Sequence, residues 1–454
     1  MNSRARTVYV CSACGNGAAK WQGQCPDCGA WNTLSAMSVG RAPASRARAP
    51  RPEEPPRAVT ALDAVEATKA PRLATGSGEF DRVLGGGLVP GSVTLLGGDP
   101  GIGKSTLLLQ AAAALAARTA VLYATGEESL QQIGLRARRL KAGAAPLRLL
   151  ADTGVERIID AARAAAARVL VVDSIQTLAS ENIEASPGTV TQLRESAARF
   201  VTYAKGSGTA VVLIGHVTKE GVIAGPRLLE HLVDTVLYFE SDAGSRFRVV
   251  RTVKNRYGAA NEIGVFSMEE DGLREVRNPS AIFLSRHETA VAGSAVLVTR
   301  EGSRPLLVEV QALVDEAHAP NPRRVAVGLD GNRLALLLAV LHRHGGIALN
   351  AHDVFVNVVG GMRVGETAAD LAVTLAAVSS LRNRALSREL VIFGELGLAG
   401  EVRPVPFGEE RLREAAKHGF RRAIVPRANL PRRALAGIEA VGVARLEEAL
   451  AALR

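Results

Sequence analysis

Gly98-Asp99-Pro100-Gly101-Ile102-Gly103-Lys104-Ser105 decides the reading of this chain, because it fits G-x-x-x-x-G-K-[ST], the pattern of a phosphate-binding loop. The run before it, Val93-Thr94-Leu95-Leu96, is apolar and reads as a buried strand. The Leu/Ala-rich stretch after it, Thr106 to Ala117, reads as a helix. Strand, glycine-rich loop and helix together form the context that gives the pattern its meaning. Glycines let the backbone turn tightly enough for successive N–H groups to face phosphate oxygens. The helix N-terminus adds its partial positive charge. In such a loop Lys104 reaches the β- and γ-phosphates of ATP, while the Ser105 hydroxyl holds Mg²⁺. The expected nucleotide-binding stretch is Gly98, Asp99, Pro100, Gly101, Ile102, Gly103, Lys104, Ser105 and Thr106.

Further apolar runs follow at Ala120–Ala124, Arg168–Asp173, Ala210–Ile214 and Asp234–Phe239, separated by helical segments. Continuous Val/Leu/Ile runs of this kind imply a mainly parallel sheet buried on both faces, with ligands at the carboxyl ends of its strands. Asp173 closes its run and is the second expected Mg²⁺ group. Glu127 and Glu128 follow the run ending at Ala124, where a carboxylate can activate the water that attacks the γ-phosphate. Glu127 is the expected base, with Glu128 the alternative; either also suits the start of the next helix. His216 fits both a γ-phosphate sensor and a structural histidine. The stretch 217–229, VTKEGVIAGPRLL, reads as a mobile loop whose Lys219 and Arg227 suit phosphate contacts. Lys254-Asn255-Arg256-Tyr257-Gly258 follows an alternating strand, Arg248–Val253. From spacing alone this is first a plain basic hairpin end; Lys254 and Arg256 also fit a finger reaching a neighbouring subunit's γ-phosphate or a contact to DNA phosphate.

At the N-terminus, Cys11-Ser12-Ala13-Cys14 and Cys25-Pro26-Asp27-Cys28 place four thiols at the spacing of a Zn²⁺ site. Ten residues separate the two pairs, short against the roughly 15–20 of common zinc ribbons. Two redox or structural cysteine pairs are the other possibility. So short a segment has little core, so metal supplies most of its folding energy. Trp21 and Trp31, the chain's two tryptophans, lie in or beside it and suit capping the module or stacking on a base. Residues 35–57 turn to Ala, Pro, Arg and Ser, the composition of a flexible linker.

The chain has 454 residues, 47% of them hydrophobic, enough for two or three domains with real cores. Its formal net charge of +10 permits a polyanionic partner. All four cysteines fall within the first 28 residues, which excludes a general disulfide framework. Apolar runs are too short for a membrane span and no signal peptide opens the chain, so a soluble, cytoplasmic protein without membrane partners is expected.

The four-cysteine module, GDPGIGKS, VLVVDSIQTL and Lys254-Asn255-Arg256-Tyr257-Gly258 occur in one order along nearly the whole chain. This combination resembles the RadA (Sms) family of bacterial DNA-repair ATPases, with Tyr257 where the family's KNRFG-type motif usually has Phe. The resemblance implies an α/β chain with a RecA-like P-loop core, an N-terminal zinc ribbon and a C-terminal α/β domain like that of Lon protease. It also implies a hexameric ring on single-stranded and branched DNA whose ATP hydrolysis is DNA-stimulated and helicase-like. Such a ring extends joints made by a RecA-type recombinase filament through branch migration. It supports catalytic roles for Lys104, Glu127, Lys254 and Arg256. The alternatives are an ATP-gated scaffold or signalling ring and an active ATP-dependent protease.

The expected domains are residues 1–34 for the zinc module, 35–57 for the linker, 58–277 for the ATPase and 279–454 for the Lon-like domain. In the last, strands around a turn at Gly302, a helix over Leu334–Leu341, a strand over Val354–Val359 and a helix over Thr367–Leu381 are expected. Lon-type proteases use a Ser–Lys dyad. Here Ala368 falls at the nucleophile and Glu409 at the lysine, and neither can do that chemistry. The domain therefore reads as an inactive scaffold, whose Arg333, Arg343, Arg363, Arg382 and Arg384 suit DNA contacts.

Overall fold

The computed structural model describes residues 6–11, 17–18, 20–39, 71–216, 229–241, 246–284, 289–319 and 321–453. The N-terminal module is a three-stranded antiparallel sheet of β1 (Arg6–Cys11), β2 (Gly17–Ala18) and β3 (Leu34–Val39), in the order β2-β1-β3. Its small core is Cys11, Ala18, Cys25 and Leu34. β3 pairs with β1 along its whole length, from Leu34 opposite Cys11 to Val39 opposite Arg6. The module thus runs past the expected boundary after residue 34. Ser35 and its neighbours have linker-like side chains, but pairing with β1 satisfies their backbone groups. The rest of the expected linker, 40–57, lies outside the described residues.

The middle of the chain forms a nine-stranded sheet. Its strands are β4 (Val93–Gly98), β5 (Val121–Thr125), β6 (Arg148–Ala151), β7 (Val169–Asp173), β8 (Ala210–Ile214), β9 (Thr235–Glu240), β10 (Phe247–Asn255), β11 (Ile263–Glu269) and β12 (Gly272–Glu275). The order is β12-β11-β10-β9-β4-β8-β7-β5-β6. From β9 to β6 the pairing is parallel, and β10 to β12 add an antiparallel flank. Every residue of β4, β5, β7 and β8 is buried, as both-face coverage requires. One face packs on α1 (Gly78–Leu84), α2 (Lys104–Ala116) and Ile133 of α3 (Leu130–Arg139). The other packs on α4 (Val155–Ala164) and α5 (Val190–Ser207).

The C-terminal third builds a seven-stranded mixed sheet from β13 (Ser294–Glu301), β14 (Arg304–Glu316), β15 (Arg324–Val327), β16 (His352–Val358), β17 (Leu390–Ile392), β20 (Arg422–Pro426) and β21 (Glu439–Val443). Its order is β15-β16-β14-β13-β17-β20-β21, with the short hairpin β18 (Glu395–Leu396) and β19 (Val402–Arg403) beside it. The expected helix over Leu334–Leu341 spans Gly331–Gly345, started by the Asp330 side chain accepting from Arg333 N–H. The expected helix over Thr367–Leu381 opens as a 3-10 turn, Thr367–Ala369, before the α-helix Asp370–Leu381. The two large domains share apolar packing: Ile263 and Val265 of β11 belong to the same cluster as Leu306 and Val308 of β14. Arg304 binds Glu79 of α1 at 2.8 Å, and Arg251 of β10 binds Glu301 at 2.5 Å.

Candidate nucleotide-hydrolysis site and metal module

The loop between β4 and α2 has the backbone that phosphate binding needs. Gly98 sits at φ +150, where a Cβ would lie 2.5 Å from the Phe239 carbonyl oxygen. At Gly103, φ is +116 and a Cβ would meet Met268 at 2.8 Å. No side chain caps α2, so its first N–H groups face the loop. Lys104 is buried and donates to the carbonyls of Gly98 at 2.7 Å and Asp99 at 2.8 Å. Burial lowers its amine pKa to about 8, although Asp173, Glu127 and Asp99 pull it the other way. Those carbonyls take two of the ammonium's three donors.

Asp173 ends β7 and is buried. Its Oδ2 accepts from the Tyr123 hydroxyl at 2.6 Å, and Ser105 also hydrogen-bonds to it. Burial pushes the Asp173 carboxyl up, and the Tyr123 and Ser105 hydroxyls oppose that shift. A hydroxyl and a carboxylate in contact are the hard oxygen donors that suit Mg²⁺. Glu127 stands across from them: it accepts from Ser174 Oγ, and its Oε1 lies 3.2 Å from His216 Nε2. That approach is close enough for an ion pair but poorly aligned for a hydrogen bond, and both His216 ring nitrogens are buried without a well-directed partner. The His216 contact, then the Ser174 hydroxyl, hold Glu127 below the usual carboxylate range against burial. Glu128 points elsewhere, held in a two-pronged ion pair by Arg136 of α3.

Sequence reading missed Tyr123, Ser174, Gln176 and Arg248. Gln176 Nε2 donates to the His216 carbonyl at 3.2 Å, and Arg248 Nε donates to the Ile102 carbonyl at 3.2 Å. A lone hydroxyl inside the apolar run Val121–Ala124 was the available signal for Tyr123. A cavity of about 860 Å³ opens beside Gly98 and Asp99 and reaches Arg300 and Arg363 of the C-terminal domain. Lys219 and Arg227 lie outside the described residues.

Lys254 and Arg256 are not near this chain's own Lys104. Lys254 donates to the carbonyls of Glu230 at 2.6 Å and Val233 at 2.8 Å, and burial lowers its pKa. Arg256 binds the buried Asp234 at 3.0 Å, and Asp234 in turn accepts from Val93 N–H at 3.0 Å. Val93 begins β4 and Gly98 ends it, so the two clusters lie at opposite ends of one strand, about 17 Å apart at ~3.3 Å per residue.

In the N-terminal module, Cys11, Cys25 and Cys28 bring their sulfurs within 4.8 Å of one another. The Cys11 and Cys28 sulfurs are 3.7 Å apart. A tetrahedral zinc with Zn–S near ~2.3 Å separates its sulfurs by roughly 3.8 Å, so the cluster fits zinc. Cys14, the expected fourth ligand, lies outside the described residues.

Comparison with known proteins agrees with this arrangement. Residues 9–36 match the rubredoxin metal binding domain, 61–222 an AAA domain, and 336–429 the subunit ChlI of Mg-chelatase. The chain is 59% identical over 451 residues to the DNA repair protein RadA of Pseudomonas aeruginosa, covering 99% of both chains. The chain belongs to the RadA family of DNA repair proteins. The RadA proteins of Escherichia coli, at 53% identity, and Bacillus subtilis, at 47%, are matched over 99% of this chain and 99% and 98% of their own. Among solved structures, the RadB recombinase is similar with a TM-score of 0.37 and 21% identity, covering 45% of this chain and 100% of its own. The ATPase domain of G40P gives 0.41 and 14%, covering 46% and 92%. The zinc ribbon, the RecA-like ATPase core and the ChlI-like C-terminal domain are thus features this RadA-family chain has. Among the described residues, no helix is long and apolar enough to cross a membrane.

The ChlI-like domain carries no protease dyad at the expected positions. Ala368 is buried among Val298, Val391 and Phe393, and Glu409 sits half-exposed with Arg413 at 2.5 Å. Thr367, next to Ala368, donates to Glu395 at 2.7 Å. The buried Arg411, paired with the half-buried Glu366 at 2.7 Å, fills the neighbouring space. Arg333, expected as a DNA contact, instead binds the buried Asp370, where an apolar helix start needs its carboxylate balanced.

Proposed function

We propose that this chain is a DNA-stimulated ATPase motor that works as a hexameric ring on single-stranded and branched DNA. It would extend joints made by a RecA-type recombinase through branch migration. The convergence of Lys104, Ser105, Asp173 and Glu127 at the carboxyl ends of β4, β5 and β7 carries the reading. As ATP enters, Lys104 exchanges the Gly98 and Asp99 carbonyls for phosphate oxygens, a stronger charge-assisted contact. Ser105 and Asp173 would hold Mg²⁺, which when bound would supply positive charge against the phosphate oxygens. Glu127, kept ionised by His216 and Ser174, accepts the proton of the attacking water.

Lys254 and Arg256 are too far from their own loop to serve it, which favours action on a neighbour's nucleotide. Mixing Lys254→Ala with Lys104→Ala subunits tests this: recovered hydrolysis at mixed interfaces supports action in trans, and none leaves the contact to DNA. The C-terminal domain, without a nucleophile at Ala368, serves as a proteolytically inert scaffold for the ring. For the motor itself, the test is junction movement. Zinc-loaded protein should shift a recombinase-made joint only with hydrolysable ATP, and ATP turnover with immobile junctions at every salt concentration would contradict it.

A further inference from the structure

The zinc module exposes two large aromatic rings for which the nucleotide site has no use. Trp31 is 69% exposed and Trp21 56%. They lie on the two arms of one hairpin: Gln24 bridges Trp31, Asn32 N–H donates to the Gly23 carbonyl at 2.7 Å, and the Trp31 ring lies over Gly23. Neither ring caps the module, whose core closes on Cys11, Ala18, Cys25 and Leu34 without them. The hairpin is therefore built to hold both indoles at the surface.

We propose that Trp21 and Trp31 form a stacking platform for the bases of single-stranded nucleic acid. Among the module's described side chains they are the only exposed large hydrophobic ones, and both are flat aromatic rings of the kind bases stack on. Residues 1–48 carry Arg4, Arg6, Lys20, Arg41, Arg46 and Arg48 against one carboxylate, Asp27. That excess outweighs the two net negative charges of a zinc–tetrathiolate centre and suits a phosphate backbone. Flat rings on a module whose sequence carries more cations than carboxylates have the composition that sequence-tolerant binding of a single strand uses. The proposal rests on the nucleic-acid part of the function above and adds where bases are gripped.

The chain's tryptophan content makes the test direct, since these two residues are its only ones and report on this module alone. Full-length, zinc-loaded protein is titrated with oligothymidylate and with an abasic oligonucleotide of the same length, following tryptophan emission and the anisotropy of the labelled strand. Emission should be quenched in step with thymidylate binding and stay unchanged with the abasic strand. Trp21→Ala and Trp31→Ala should each weaken thymidylate binding about ten-fold and leave abasic binding unchanged, while the Phe variants retain most of the affinity. Zinc content measured on every variant separates lost stacking from a lost fold. Thymidylate binding with unaltered emission, or equal affinity in the Ala variants, overturns the platform and leaves the motor reading standing. Absence of any binding to either strand overturns both. Quenching by a recombinase filament but not by naked thymidylate would assign the rings to a protein partner and also overturn the platform.

Discussion

Two adjacent glutamates meet different fates because of what faces them. Glu127 meets Ser174, His216 and the field of Lys104, while Glu128 is tied up by Arg136. Glu127→Gln should therefore cut ATP turnover about 10²- to 10⁴-fold while nucleotide affinity is kept. Glu128→Gln should cost only a small loss of stability and leave turnover within a few-fold, as steady-state hydrolysis alongside fluorescent-nucleotide binding will read. Lys104 sets a second expectation. Its amine titrates at about 8 without nucleotide because burial outweighs Asp173, Glu127 and Asp99. Phosphate favours the charged form, so above that pH binding must take up a proton. Affinity for a fluorescent ATP analogue should be flat below the lysine's pKa. It should then fall as pH rises, by up to about ten-fold per pH unit until the complex's own pKa is reached. A profile flat from about pH 7 to about pH 9 would contradict it.

β4 ties the two clusters of functional side chains together. Its carboxyl end opens into the phosphate loop, and its first N–H is held by Asp234, which also holds Arg256. Asp234→Ala should leave the Val93 N–H buried without a partner and lower stability by about 2 kcal/mol, measured by urea unfolding. It should also release Arg256 while leaving Lys104 in place, so that nucleotide affinity holds. At this scale the sequence was readable wherever function needs neighbouring residues. The phosphate loop, the β7 aspartate and the cysteine pairs are contiguous patterns, and β4, β5, β7, β8 and β9 show as apolar runs, whereas the half-exposed edge strand β6 does not. It was not readable where partners are distant along the chain. Tyr123 and Asp173 are 50 residues apart, Val93 and Asp234 141, and only the folded sheet brings them together. The β3 extension was missed because Ser and Ala look the same in a strand and in a linker. The role of Arg333 was missed because one-sided charge counting cannot see the buried Asp370 that claims it.

On the scale of the whole molecule, the ATPase and C-terminal domains are joined by more than the chain between them. Glu79 is buried, accepts from Val265 N–H at 3.0 Å and is balanced by Arg304 from the other domain. Arg304→Ala would leave that carboxylate with only the Val265 N–H and a distant Arg82 at 3.8 Å, and should cost about 2 kcal/mol. Because β11 packs into the C-terminal core, the two domains should unfold together, with probes in each giving one transition; two separate transitions in the parent protein would contradict this. The measurement that bears most directly on the central claim is ATP turnover with and without single-stranded DNA, in the parent chain and in Lys104→Ala. Turnover should rise several-fold with DNA and disappear in the variant. Turnover indifferent to DNA, or surviving the loss of Lys104, would contradict it.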